Sequence, residues 1–310
     1  MTIANVVVLV IIIACVVWQY LKSTLLTAFA TIIATICSTI IAFAYFEFAA
    51  VQLYRFPAII PWAQALAFAL LFIIPFAIFQ TLIDRLSKKP VNIGTLPEKI
   101  GRIICGIVLG IIIAGTLLTT LILAALPDQY PYPRFEKTAT DADKPQKPLL
   151  NADGFAAGWF NAASKGSLSG KASFAAIHPD FLSQAFLNRL FLTAALKTTA
   201  PDDAIVVPGK TARDPNSVGL WRASDKLKTT GGKQLSPKPG HYLVIVRMGI
   251  KKKAFPDASF FTTSQIRLIC SENANADKPL TGSAINAWPI GYIQTENQVK
   301  IQKLGEQITL

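Results

Sequence analysis

Histidine and cysteine, the side chains best suited to general-base, nucleophilic and soft-metal chemistry, are scarce in this chain. His178 and His241 are its two histidines, and Cys270 is the single cysteine beyond residue 126. A closed zinc site takes four Cys or His ligands, which these three residues cannot supply. His241 could act as a general base for a serine or for Cys270, but no G-x-S-x-G elbow or comparable nucleophile context accompanies it. His178 stands directly before Pro179 and reads as a helix-boundary residue. Gly231-Gly232-Lys233 lacks the upstream glycine and the Ser/Thr of a phosphate-binding loop and reads as a turn. Asp202-Asp203 follows a proline and reads as loop. The chain is therefore read as a non-enzyme with no catalytic, metal or cofactor-binding residue. Lys251, Lys252 and Lys253 form the notable charge cluster. They suit a solvated loop that blocks edge-to-edge strand pairing, or a contact for anionic lipid or an envelope polymer.

The elements that would position these residues divide the chain in two. Four apolar stretches, at 3–20, 24–46, 58–83 and 103–126, fill its first part, and a polar chain of 184 residues follows. About 20 helical residues at ~1.5 Å rise cross ~30 Å of hydrocarbon, so each stretch predicts a transmembrane helix. Residues 1–126 carry seven Lys/Arg and three Asp/Glu, against 23 and 15 in residues 127–310. The latter are net +8, and that charge is spread along the segment as on a solvated basic surface. Nucleic-acid binding has no RNP-type or helix-turn-helix signature to support it. The first stretch lacks a basic n-region and an A-x-A-like cleavage site, so it reads as a retained span rather than a signal peptide.

Charge predicts the orientation. The first and third connections hold Lys22, Arg85, Lys88, Lys89, Lys99 and Arg102, while the second holds Arg55 alone. The positive-inside rule puts the first and third connections in the cytoplasm. Both termini and the domain after Leu126 are then extracytoplasmic. Between spans one and two the chain must bend near Lys22, because one helix through both would run twice the membrane thickness.

Small residues recur every four positions in two spans: Ala30, Ala34, Ser38 and Ala42, then Gly106, Gly110 and Ala114. Residues at i and i+4 share a helix face, and small faces allow close approach of helices in lipid. This spacing predicts that span two docks on span four, within one molecule or between two. Span three is rich in phenylalanine and carries Pro75 near its middle, which removes one helical hydrogen bond. Ionisable groups stand at span ends (Glu47, Asp84, Arg85), which argues against a proton-coupled pump or a channel formed by one chain alone.

The first 126 residues resemble the colicin V production protein family (CvpA-like). The residues carrying the resemblance are Asn5 in the apolar opening and Tyr20-Leu21-Lys22 at the first turn. Ala42-Phe43-Ala44-Tyr45-Phe46-Glu47 closes span two and Asp84-Arg85 ends span three. Leu96-Pro97, Arg102-Ile103, Gly106 and Gly110 open span four. The chain departs from the family pattern at Asn5, where an acidic residue is common, and at Gln19 with one Lys in place of Gly with paired basic residues. The resemblance implies a bacterial inner-membrane protein linked to toxin production or export and to envelope maintenance. It implies no catalytic residue.

Pro127, Pro131, Pro133, Pro145 and Pro148 mark 127–148 as an extended polar linker. In 149–310 a first helix is expected over 153–163, with Phe155 and Trp159 on one face and Gly166 past its end. A second is expected after Pro179-Asp180, with Phe181, Leu182, Ala185, Phe186 and Leu190 as a core stripe. Strands are expected over 204–207, 242–250, 260–270 and 288–293, the middle two as a hairpin. The fold class is thus four transmembrane helices followed by a small, mainly β, α+β domain. Two function classes follow: a non-enzymatic scaffold or assembly factor whose outer domain meets an envelope protein, or a transporter or channel subunit active as a homo-oligomer. The lipid bilayer is a partner in both.

Overall fold

A computed structural model describes residues 2–87, 94–127, 129–136, 142, 144–166, 170, 172–192, 205–207, 219–224, 226–251, 260–273, 277–278, 280–295, 297–304 and 306–309. Four helices long and apolar enough to span a membrane lead the chain: α1 (Ile3–Lys22), α2 (Leu25–Leu53), α3 (Ala63–Leu86) and α4 (Thr95–Leu123). The bend between the first two is set by Ser23-Thr24. Ser23 is extended, and Thr24 caps α2 by accepting from the Thr27 N–H while its own N–H donates to Thr27 Oγ1. α2 continues past Glu47 to Leu53, and a 3-10 turn at Pro57–Trp62 leads into α3. Pro75 sits within α3, which stays one element. α4 begins eight residues before the expected apolar start. Its first turn holds Glu98, favourable at a helix N-terminus, which pairs with Arg102 one turn on.

The chain forms two compact units. The first comprises Met1–Glu136, Lys144–Thr193 and Leu268–Ala287; the second comprises Lys137–Asp143, Ala194–Arg267 and Trp288–Leu310. Besides the four long helices, the first unit holds α5 (Ala152–Lys165), α6 (Phe174–Ile177) and α7 (Phe181–Leu192). The two expected helices are α5 and α7, and Gly166 follows α5 as expected. They pack on α4, and on α2 through a phenylalanine cluster. Phe43 stacks on Phe160 with ring centroids 5.4 Å apart and meets Phe68, Phe174 and Phe181 edge-on. The stretch before α5 is more than a spacer, since Tyr132 and Arg134 are buried in this unit.

Short strands make up the rest. The first unit contains β7 (Leu268–Ser271) paired antiparallel with β8 (Ala284–Ala287). In the second unit β1 (Ile205–Val206) pairs with β5 (Gly249–Ile250), and β2 (Leu220–Arg222) with β4 (Val244–Val246). There β6 (Phe260–Thr262) pairs with β11 (Gln307–Thr309), while β10 (Gln298–Ile301) lies between β3 (Lys228–Thr229) and β9 (Gly291–Thr295). Among the described residues the expected hairpin between 242–250 and 260–270 is not formed. Each of those segments breaks into shorter strands that pair elsewhere. Alternating polarity fixes which way side chains point, and it does not choose the neighbouring strand.

Candidate functional site

The predicted packing residues fall largely where close approach is needed. Ala34, Ser38, Ala42, Gly106, Gly110 and Ala114 are buried, while Ala30 is partly exposed. The partner of the two glycines differs from the expectation. A β-carbon on Gly106 would lie 2.6 Å from Val16 Cα, and one on Gly110 would lie 2.7 Å from Ile12 Cα. The glycine face of α4 therefore receives α1, whose ridge Ala4, Val8, Ile12 and Val16 repeats every four residues. Nothing in α1 marked that ridge, because branched residues occupy almost every position around it.

α2 also packs on α4, as the spacing predicted, through small, branched and polar side chains. Ala28 and Ile32 pack with Cys105, Leu109 and Ile112. Nearer the α4 C terminus, Thr39 Oγ1 and Thr116 Oγ1 lie 3.5 Å apart. Thr35, Ser38, Thr39, Thr116 and Thr119 are all buried, and each hydroxyl donates to the carbonyl one turn back at 2.7–2.8 Å. The seam is thereby satisfied within each helix, as lipid demands of every polar group. Thr31 adds a hydrogen bond to Gln80 Oε1 of α3 at 3.3 Å.

Sequence reasoning missed a buried polar knot beside the α5 N terminus. The Tyr132 hydroxyl donates to Asp153 Oδ2, and the Gly154 N–H donates to Asp153 Oδ1 at 2.8 Å. Among the described residues Arg134 reaches Tyr132 Oη at 3.2 Å, Ser183 Oγ at 3.1 Å and Asp180 Oδ1 at 3.4 Å. Tyr132, Arg134, Asp153 and Ser183 are all buried. Burial, followed by the Asp153 charge, pushes the Tyr132 phenol far above its ordinary range. The knot ties the post-α4 segment to α5 and α7 with charge-assisted bonds, a positioning role rather than a reacting one. Arg189, also buried, lies 4.4 Å over the Phe186 ring and donates to the Tyr130 carbonyl at 2.6 Å. The only sequence signal for this knot was Asp and Arg set among aromatics, a pattern that a polar linker shares.

The same end of the unit carries two further ties. Asn5 Oδ1 of α1 accepts from the Leu149 N–H at 2.8 Å. Buried His178 places Nδ1 2.8 Å from Gln184 Oε1 and Nε2 3.4 Å from Glu47 Oε1 at the end of α2. It stands just before α7, so the boundary reading is right about its position and omits its link to a membrane helix. His241 is exposed, with Nδ1 3.0 Å from the Pro239 carbonyl, and Cys270 is an exposed free thiol. Gly232 has φ +80° in the turn expected there. Lys251 is exposed, whereas Lys252 and Lys253 lie outside the described residues.

Comparison with protein-family models, with curated proteins and with solved structures yields no match.

Proposed function

We propose that this chain is a non-enzymatic scaffold of a bacterial inner membrane, of the colicin V production type, with its C-terminal part on the extracytoplasmic side. Its role is toxin production or export, or envelope maintenance, exercised by presenting the β-rich unit to an envelope protein. The supporting observation is the seam between α2 and α4. Its hydroxyls are engaged by their own helices' carbonyls while glycines on α4 close onto α1. A bundle knit in this way serves as a rigid platform, and the knot around Arg134 fixes α5 and α7 upon it.

Photo-crosslinking of the full-length protein in native membranes tests the proposal. A discrete envelope protein should be trapped from positions in the β-rich unit, such as Lys226, and not from lipid-facing positions such as Ile107. Solute flux through vesicles holding the purified protein alone would overturn the scaffold reading in favour of a transporter subunit. Impermeant labelling of single cysteines at Pro127 and Arg85 checks orientation. Pro127 should react from outside the cell, and reaction of Arg85 there would reverse the topology.

A further inference from the structure

We infer that α5 is a half-membrane helix whose Phe155–Trp159 face touches the acyl chains of the leaflet at the C-terminal end of α4. This inference rests on the membrane helices alone and is independent of the scaffold reading.

Depth along two helices gives the first argument. Arg102 is the last charge on α4 before its apolar run, so about 20 residues of hydrocarbon crossing extend to about residue 122. A β-carbon on Gly115 would press on the Ala152 carbonyl and lie 2.9 Å from the Ala156 β-carbon. Gly115 lies about 11 Å below that boundary at ~1.5 Å per residue. Further along α5, Trp159 and Phe160 line an apolar cleft with Ile36, Thr39, Ile40 and Ile112. Ile112 stands about 15 Å below the boundary on α4, and Ile36 about 16 Å below Glu47 on α2. Phe43, which stacks on Phe160, stands about 6 Å below Glu47, so these rulers place the middle of α5 about 6–16 Å inside a ~30 Å hydrocarbon layer.

The faces of α5 give the second argument. Its protein-facing side is Ala152, Asp153, Ala156, Phe160 and Ser164, all buried. Its exposed side is Phe155, Gly158, Trp159 and Ala162, with Phe155 37% and Trp159 51% accessible, and this apolar face ends at exposed Lys165 in the last turn. A helix lying on a soluble core shows the reverse arrangement, with polar residues outward. Here the charged Asp153 is turned inward and paired with Tyr132, as a carboxylate at membrane depth requires. Between Asp153 and Lys165 the helix carries no charge. Small residues at the α5–α4 contact (Gly115, Ala152, Ala156) repeat the packing chemistry of membrane helices.

Spin labels in vesicles test this directly. In full-length protein with its four cysteines replaced by alanine, nitroxides are placed singly at Phe155, Gly158, Trp159 and Ala162. The vesicles are phosphatidylethanolamine with phosphatidylglycerol. All four labels should collide with oxygen more than with a water-soluble nickel chelate, as at Ile107 on α4 and opposite to Lys226. A nickel-accessible pattern matching Lys226 overturns the inference. A second measurement avoids new cysteines: lipids brominated at mid-chain should quench wild-type fluorescence more than that of Trp159→Phe. The variant should lose roughly the Trp159 share of quenching among five tryptophans. Equal quenching of both proteins refutes the contact.

Discussion

Substituting Gly115 by alanine should loosen α5 from the bundle. The added β-carbon would lie 2.7 Å from the Ala152 carbonyl carbon, nearer still to its oxygen, and 2.9 Å from Ala156 Cβ. Two of these obstacles are backbone atoms, so no rotamer change relieves them. α5 must retreat by roughly 1 Å to regain ordinary contact, which thins the packing of Ala156 and Phe160 on α4 and α2. Overpacking of this kind costs about 1–3 kcal/mol. Gly158 is the matched control, because nothing lies within 4 Å of a β-carbon there. Alanine at that helical position should stabilise α5 by about 0.5–1 kcal/mol through reduced backbone entropy in the unfolded chain. The assay is SDS-induced unfolding in mixed micelles, with proteolytic nicking at the exposed Lys147 just before α5 as a local readout. Gly115→Ala should lower the midpoint and speed nicking, and Gly158→Ala should raise the midpoint. If Gly115→Ala matches wild type in both, α5 does not pack on α4 as described.

Tyr132→Phe removes a hydrogen bond to a buried carboxylate and should cost about 1.5–3 kcal/mol near neutral pH, measured by the same unfolding assay. The folded phenol's pKa is raised above its ordinary value of about 10, so its contribution is complete below that pH and declines as pH climbs above it. Wild type should lose stability steeply in that alkaline range, and the Phe variant less so; parallel slopes would remove the knot from the account. Gly110→Leu should separate α1 from α4 and lower the unfolding midpoint sharply. Thr39→Val should cost under about 1 kcal/mol, because its hydroxyl bonds within its own helix and membrane hydrogen bonds average ~0.6 kcal/mol. A larger loss for Thr39→Val than for Gly110→Leu would reverse the roles assigned to packing and hydrogen bonding.

The membrane helices were legible because their signal is one-dimensional. A run of apolar residues long enough to cross lipid identifies itself at Ile3–Lys22 or Thr95–Leu123 without knowledge of any neighbour. Helix ends were read less well where the helix carries polar turns beyond the apolar run, as at Glu98 and Arg102 on α4. α5 and α7 were legible too, since the Gly166 stop and the Pro179-Asp180 start are local backbone signals.

What stayed hidden is pairing. The glycine spacing on α4 announced a close neighbour, and only the folded chain shows that the neighbour is α1, because many apolar ridges fit a glycine groove equally well. Strand partners in the β-rich unit were hidden for the same reason. The knot of Tyr132, Arg134, Asp153, Asp180 and Ser183 joins residues up to 51 positions apart, so no window of sequence contains it. By itself, then, the sequence determined that four helices are long and apolar enough to span a membrane and that two more helices and a strand-rich segment follow. Tertiary structure alone decided which faces meet, and that a helix written with a modest apolar stripe turns its aromatic side outward. The physical reason is that burial in lipid depends on local composition, whereas burial against protein depends on what else arrives at the same place.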